Sequence, residues 1–166
     1  MRHIIAILLQ NESGALSRVA GLFSTRGYNI ESLAVAPTND PTVSRITLVT
    51  TGSDNVIQQI LNQLHKLIDV VRVEDMTLGE HLERELVLLK LRAKPAEIAL
   101  LRGAIEAAGG HVLEPVTDGL IAELTGTEAE VTAFIRNLSA KAEILELARS
   151  GALGLSRNLR PLQLVK

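Results

Sequence analysis

Short strand-like and helix-like patterns follow one order in this chain, strand–helix–strand–strand–helix–strand, and the order occurs twice. The first strand pattern is an apolar run at residues 3–9, which is typical of a strand buried on both faces. The other strand patterns fall at residues 28–36, 43–51, 69–75, 85–92, 111–116, 120–124 and 143–149. Apolar residues at helical spacing predict four helices, with faces at 16–23, 56–64, 98–105 and 131–138. The two halves therefore predict an α+β protein of two ferredoxin-like βαββαβ units.

Helix-capping and turn residues in the sequence agree with the predicted helix and strand ends. Ser13 is predicted to cap the first helix, and Gly27 to end it in the left-handed conformation. Asp118-Gly119 predicts a tight hairpin turn, and Thr127 followed by Glu130 matches a capping box. These signals place the turns where the apolar patterns break.

The chain divides between the two halves. We expect a first domain at residues 1–76, a linker at 77–83 and a second domain at 84–166 that ends in a basic tail. No acidic residue follows Glu146, and the tail carries Arg149, Arg157, Arg160 and Lys166. A solvated basic tail is one interpretation. The other is that Gly151–Arg157 contacts a partner protein.

Composition excludes several kinds of function. The 166 residues include no cysteine, so disulfides, thiolate metal sites and cysteine nucleophiles are ruled out. Aromatic residues make up 2% and the net charge is −2, which does not suit a nucleic-acid binder. No apolar run approaches the ~18 residues of a membrane span, and no signal-peptide pattern is visible. We expect a cytoplasmic protein with neither a nucleic-acid nor a membrane partner.

One face of each predicted sheet would be exposed to solvent unless another segment or chain packs on it. A four-stranded sheet with both helices on one side leaves its other side open, and the strand at residues 3–9 is apolar on both sides. A second copy of the chain is the simplest cover. The sequence therefore predicts a homodimer or a larger assembly of identical chains.

No group of residues matches a catalytic or metal-binding motif. The four histidines lack the spacing of metal ligands, and we interpret them as surface or strand-end residues: His3, His65, His81 and His111. Three glutamates near the domain junction are interpreted as a solvated face: Glu80, Glu83 and Glu85. We expect no catalytic residue, no metal and no cofactor in this chain.

The segment between the first strand and the first helix is the candidate binding site. Asn11 and Gly14 lie where a helix start offers unpaired backbone N–H groups, which suit a carboxylate. Asn29, at the next strand, adds a second amide. With nearby aliphatic residues, these groups suit a small amino acid. The alternative is a tight turn that binds nothing, since Asn and Gly favour such turns.

Several stretches resemble a known family, the small regulatory subunits of acetolactate synthase. They are Asn11–Val19, Gly21–Ser24, Arg26–Leu33, Pro37-Thr38 with Ser44-Arg45, Ala148–Gly151 and Gly154–Arg157. An Asn-x-x-Gly-x-Leu turn in a βαββαβ unit is similar to ACT domains in general. The run Gly-Tyr-Asn-Ile-Glu-Ser at residues 27–32 narrows the resemblance to this subunit.

The resemblance implies a function. The chain would not be catalytic itself, but would activate a large catalytic subunit that uses thiamine diphosphate, magnesium and FAD. That enzyme is a transferase that condenses pyruvate with a second 2-oxo acid, at the start of branched-chain amino-acid biosynthesis. The small subunit would confer feedback inhibition, by valine in the usual case, at a site between the ACT domains of two chains. Asn11, Gly14 and Ala15 would contact the effector from one chain, and Asn29 and Ile30 from the partner.

Three other functions compete with this one. A different two-ACT amino-acid sensor, regulating another enzyme or a transcription factor, would share the fold and the ligand class. A ferredoxin-like enzyme is opposed by the absence of a catalytic motif. An RNA-binding sheet is opposed by the charge and the scarcity of aromatic residues.

Overall fold

The computed structural model describes residues 1–158 and residue 162. In chain order the elements are β1 (Arg2–Gln10), α1 (Ala15–Thr25), β2 (Ser32–Pro37), β3 (Val43–Thr51), α2 (Asp54–Leu64), β4 (Val70–Asp75), β5 (His81–Arg92), α3 (Pro95–Ala107), β6 (His111–Val116), β7 (Gly119–Gly126), α4 (Glu128–Ser139), β8 (Glu143–Arg149) and β9 (Leu153–Ser156). The chain forms two compact units. The first unit is Met1–Leu82 with the segment that begins at Ala152, and the second is Glu83–Gly151.

Both units contain the same order of four strands. The strand order is β2-β3-β1-β4 in the first unit and β6-β7-β5-β8 in the second, and the strand pairs are antiparallel. Each sheet carries its two helices on one face. The predicted fold class, two βαββαβ units, is confirmed.

The core of the first unit follows from the alternation along β1. Ile5, Ile7 and Leu9 face the helices and pack against apolar residues of α1 and α2. Those helical residues are Ala15, Val19, Phe23, Ile57, Ile60 and Leu64. They recur at three- and four-residue intervals, so each helix presents a single apolar stripe to the sheet.

The opposite face of this sheet, called here the outer face, is partly covered by the chain itself. Ile4, Ala6, Val49 and Met76 form a second buried cluster with Ala152. The chain's own residues therefore occupy part of the face that a second copy is expected to cover. The homodimer stays a prediction.

Residues 152–158, the C-terminal segment, are held on the outer face by directed hydrogen bonds. The N–H of Ala152 donates to Ser32 Oγ at 3.0 Å, and Arg45 Nη2 donates to the carbonyl of Gly154 at 2.7 Å. At the far end, the N–H of Arg157 donates to the carbonyl of Glu80 at 2.9 Å. The proposed boundary at residue 84 assigned this segment to the second domain, whereas the structure packs it in the first unit.

The basic tail of the sequence prediction is divided by these contacts. Arg149 pairs with Glu85 within the second unit, through Nε···Oε1 at 2.8 Å and Nη2···Oε2 at 2.6 Å. Glu85 is buried, so its assignment to a solvated face was wrong. Arg157 is exposed, and the predicted basic residues Arg160 and Lys166 lie outside the described residues.

Local signals in the second unit act as predicted. Thr127 Oγ1 accepts from the N–H of Glu130, and Glu130 Oε2 accepts from the N–H of Thr127, which completes the capping box of α4. The hairpin between β6 and β7 turns at Asp118, whose φ is 57°. A positive φ is tolerated by Asp more readily than by bulkier residues.

Two strands depart furthest from the sequence patterns, and a third has no counterpart in them. β2 begins at Ser32 rather than at residue 28, because residues 28–31 first close the end of α1 and then join the sheet. β5 begins at His81 rather than at residue 85, and β9 was not predicted.

His3, interpreted from the sequence as a surface or strand-end residue, is buried in β1. Its Nδ1 lies 3.2 Å from Asp75 Oδ2.

Candidate functional site

The turn between β1 and α1, residues 11–14, is tied to the loop between β2 and β3. The N–H of Asn11 donates to the carbonyl of Thr42 at 2.7 Å, and its Nδ2 donates to the carbonyl of Pro41 at 2.9 Å. The Asn11 side chain is otherwise exposed. These two bonds hold the amide at the end of β1, where a ligand can reach it.

Gly14 gives this turn its left-handed backbone conformation. Its φ is 84° and its ψ is −10°, in the left-handed region, and it occupies the N-cap position of α1. The prediction of Ser13 as the N-cap was wrong, because the residue directly before the helix is Gly14. Its left-handed backbone also differs from the extended conformation that is typical of a capping serine. No side-chain hydrogen bond caps α1 in the described structure, so its first N–H groups are not shielded by a capping side chain.

Ala15 contributes to the core rather than to the surface. The residue is 1% exposed and lies in the buried cluster between the helices and the sheet. Its N–H donates to the carbonyl of Glu12 at 3.2 Å. Any role of Ala15 at a ligand must therefore come from its small size and its backbone.

Asn29 and Ile30 lie just before β2. The buried hydroxyl of Thr50 donates to the carbonyl of Asn29 at 2.6 Å, which fixes the backbone while the Asn29 side chain stays exposed. Ile30 is half-buried against the core of the first unit. The two residues thus present one exposed amide beside an aliphatic surface.

The five predicted site residues form two groups at opposite ends of one sheet. Thr50, which holds Asn29, pairs with His3 near the start of β1, whereas Asn11 follows Gln10 at its end. At ~3.4 Å per residue, the seven steps from His3 to Gln10 span about 24 Å. A small ligand therefore cannot touch Asn11 and Asn29 of the same chain.

An open depression lies beside the Asn11 group. Its volume is about 470 Å³, and it is lined by Gln10, Asn11, Glu12, Pro41, Thr42, Val43 and Val71. Ligand sites typically measure about 300–1,000 Å³. Gly14, Ala15, Asn29 and Ile30 are not among the lining residues, so the depression represents only one part of the predicted site.

Two acidic residues near the depression have lowered pKa values. Hydrogen bonds from the hydroxyl and the N–H of Thr42 hold the pKa of Asp40 below its usual value. Hydrogen bonds from Arg18 likewise lower the pKa of Asp69, against the opposing effect of burial. Both carboxylates are therefore ionised near neutral pH. No motif in the sequence marks Arg18, Asp40, Thr42 or Asp69 as functional, although Asn39-Asp40-Pro41 is a turn signal.

The described residues contain no group of three or more His, Asp or Glu side chains placed to hold a metal ion. None of the described helices is long and apolar enough to cross a membrane.

The first unit has the fold and the glycine turn of an ACT domain. Residues 5–72 match a family model described as an AHAS small subunit-like ACT domain, and residues 84–158 match one described as the small subunit of acetolactate synthase. The chain is an ACT-domain protein, and its similarity extends beyond that domain.

Similar proteins cover nearly the full length of the chain. The small subunit of acetolactate synthase isozyme 3 from Escherichia coli is 48% identical over 157 residues, or 95% of this chain and 96% of that one. A probable acetolactate synthase small subunit from Archaeoglobus fulgidus is 42% identical over 160 residues, or 95% and 98% of the two chains. The crystal structure of the Thermotoga maritima small subunit matches with a TM-score of 0.83 and 34% identity, covering 95% of this chain and 98% of that one. The chain belongs to the acetolactate synthase small-subunit family.

Proposed function

We propose that this chain activates the large catalytic subunit of acetolactate synthase and makes it sensitive to a branched-chain amino acid, with valine as the effector. The observation that carries the proposal is the similarity to proteins named as small subunits over 95% of the chain. Pyruvate condensation, and the thiamine diphosphate, magnesium and FAD that serve it, belong to the large subunit. This chain acts in the cytoplasm as a homodimer.

The effector site lies between two chains. Asn11, Gly14 and Ala15 come from one protomer, and Asn29 and Ile30 come from its partner. The separation of the two groups within one chain supports this arrangement, because one small ligand can meet both groups only if two chains contribute. The start of α1 and the amides receive the carboxylate, and aliphatic residues receive the side chain.

Inhibition follows from the shared site. A ligand held by two protomers stabilises the dimer arrangement in which both groups meet, and it disfavours the others. If that arrangement activates the large subunit less well, the effector inhibits, with a coupling free energy of ~1–3 kcal/mol. Valine, leucine and isoleucine differ by a methylene or a branch, so selectivity among them is also only about 1–3 kcal/mol.

Calorimetric titration of the purified protein with valine tests effector binding. A two-fold dimer contains two equivalent sites, so we expect about one valine per chain. Asn11→Ala and Asn29→Ala should each weaken binding, whereas Asn62→Ala on the exposed surface of α2 should not. Leucine, isoleucine and serine serve as comparison ligands.

Mixing two variants tests whether the site is shared. Equal amounts of Asn11→Ala and Asn29→Ala protein are mixed until their subunits exchange. Each dimer that contains both variants then has one site with both defects and one intact site. Random exchange should therefore restore about a quarter of the parental sites. A site built within one chain would gain nothing from mixing, and that result would refute the shared site.

An assay with purified large subunit tests the regulatory role. We expect the parent chain to raise acetolactate formation and valine to reduce it, while Asn11→Ala keeps the activation and loses the inhibition. Failure of the parent chain to activate would refute the proposal. Activation without any valine effect would limit it to activation.

A further inference from the structure

An ion pair outside the predicted site connects the two ends of the β1–α1 turn. Asp69, in the loop before β4, is 4% exposed, and both of its carboxylate oxygens accept from Arg18. The Nη2···Oδ1 distance is 2.8 Å, and Nε donates to Oδ2. A buried carboxylate requires such a partner, and a two-point contact fixes the guanidinium in orientation as well as in position.

The backbone of Asp69 holds the other end of the turn. Its carbonyl accepts from the N–H of Gln10 at 2.8 Å. One residue therefore anchors the last residue of β1 through its backbone and the first turn of α1 through its side chain. Residues 11–14 run between these two anchors.

The guanidinium of Arg18 also lies against Gly14. The N–H of Arg18 donates to the carbonyl of Gly14 at 3.0 Å. A Cβ on Gly14 would lie 3.3 Å from Nη1 of Arg18, which is a tight contact. The paired guanidinium therefore leaves little room for a side chain at residue 14.

We propose that Arg18 and Asp69 are positioning residues for the effector site, a role that rests on the proposed function. The pair holds the β1–α1 turn in the geometry in which the Asn11 amide and the start of α1 receive the ligand. In this proposal both residues act through the turn rather than by contacting the ligand. Loss of the pair should weaken effector binding while the fold and the activation of the large subunit persist.

Arg18→Lys and Asp69→Asn test this role. Lysine keeps the charge but not the two-point contact, and asparagine keeps the shape but not the charge. We expect each variant to bind valine about tenfold more weakly in calorimetry, or 1.4 kcal/mol, with activation of the large subunit unchanged. Binding within twofold of the parent for both variants would refute the proposal.

The second unit offers a matched control. Arg149 makes the same two-point contact with the buried Glu85, far along the chain from the turn. Arg149→Lys should leave the affinity for valine unchanged. If it weakens binding as much as Arg18→Lys does, the effect is general and the positioning role is refuted.

Amide hydrogen exchange separates this proposal from the effector proposal. We expect Arg18→Lys to accelerate exchange at residues 11–16 without changing the protection of β3, and Arg149→Lys to leave residues 11–16 unaffected. If the parent binds no valine, this acceleration still supports the positioning of the turn, while the effector proposal fails. Unchanged exchange at residues 11–16 refutes the positioning role whether or not valine binds.

Discussion

One added methyl group at Gly154 should test the packing of the C-terminal segment on the outer face. A Cβ at this residue would lie 2.9 Å from Cδ1 of Ile4 and closer still to Cε of Met76. Ile4 is 1% exposed and Met76 is 2% exposed, so both side chains are confined. Inserting a methyl group into a packed core typically costs about 1–3 kcal/mol. We expect Gly154→Ala to lower the free energy of unfolding of the first unit by that amount in equilibrium urea unfolding.

A double-mutant cycle identifies the source of this cost. Met76→Ala removes the nearest side chain, so Gly154→Ala should cost at least ~0.5–1 kcal/mol less in that background than in the parent. Gly103→Ala is the control, because a Cβ at this position of α3 has no neighbour within 4 Å. It should stabilise the second unit by about 0.5–1 kcal/mol, since alanine favours a helix more than glycine does. If Gly154→Ala is as harmless as Gly103→Ala, the segment does not pack on this face as described.

Three further predictions follow from particular contacts. The lowered pKa of Asp69 means that the unfolded chain binds more protons at acid pH, so the pair with Arg18 stabilises the fold above the ordinary Asp value of ~3.9 and is lost as pH falls below it. Asp69→Asn should therefore flatten that part of a plot of unfolding free energy against pH; an unchanged slope would contradict the assignment. Thr127→Ala should lower the free energy of unfolding of the second unit by ~1 kcal/mol in urea, because it removes the N-cap of α4. An unchanged free energy of unfolding would show that the cap does not stabilise the helix. Gly110→Ala would place a Cβ 2.7 Å from the carbonyl oxygen of Glu123, so its thermal midpoint should fall clearly below that of Gly103→Ala.

The local patterns in the sequence were sufficient for the fold class, for the four helices and for the eight strands β1–β8. β3 and β8 have the bounds that their composition predicts, residues 43–51 and 143–149. The capping box at Thr127 and the turn at Asp118 also act where they were predicted. These features depend on residues a few positions apart, so a linear pattern contains all the information that they require.

The binding residues were chosen from local chemistry and from the resemblance, and the sequence alone could not place them in space. Strand register puts Asn11 and Asn29 at opposite ends of one sheet, which gives a physical reason to propose a site shared by two chains. Ser13 was the expected cap, but the left-handed bend at Gly14 takes that place. Backbone conformation at a single residue is not contained in a hydrophobic pattern.

Tertiary structure alone decided which distant residues meet. Arg18 reaches Asp69 across 51 positions, and Arg45 reaches Gly154 across 109. Such pairs depend on which strands are neighbours, on their register and on the reach of a side chain. Short-range periodicity in the sequence by itself determined the four helices, the strands β1–β8 and their order. Long-range packing decided how the β1–α1 turn is supported and how the outer face is covered. In both cases the contacting segments are far apart in the chain, and no local sequence pattern indicates that they meet.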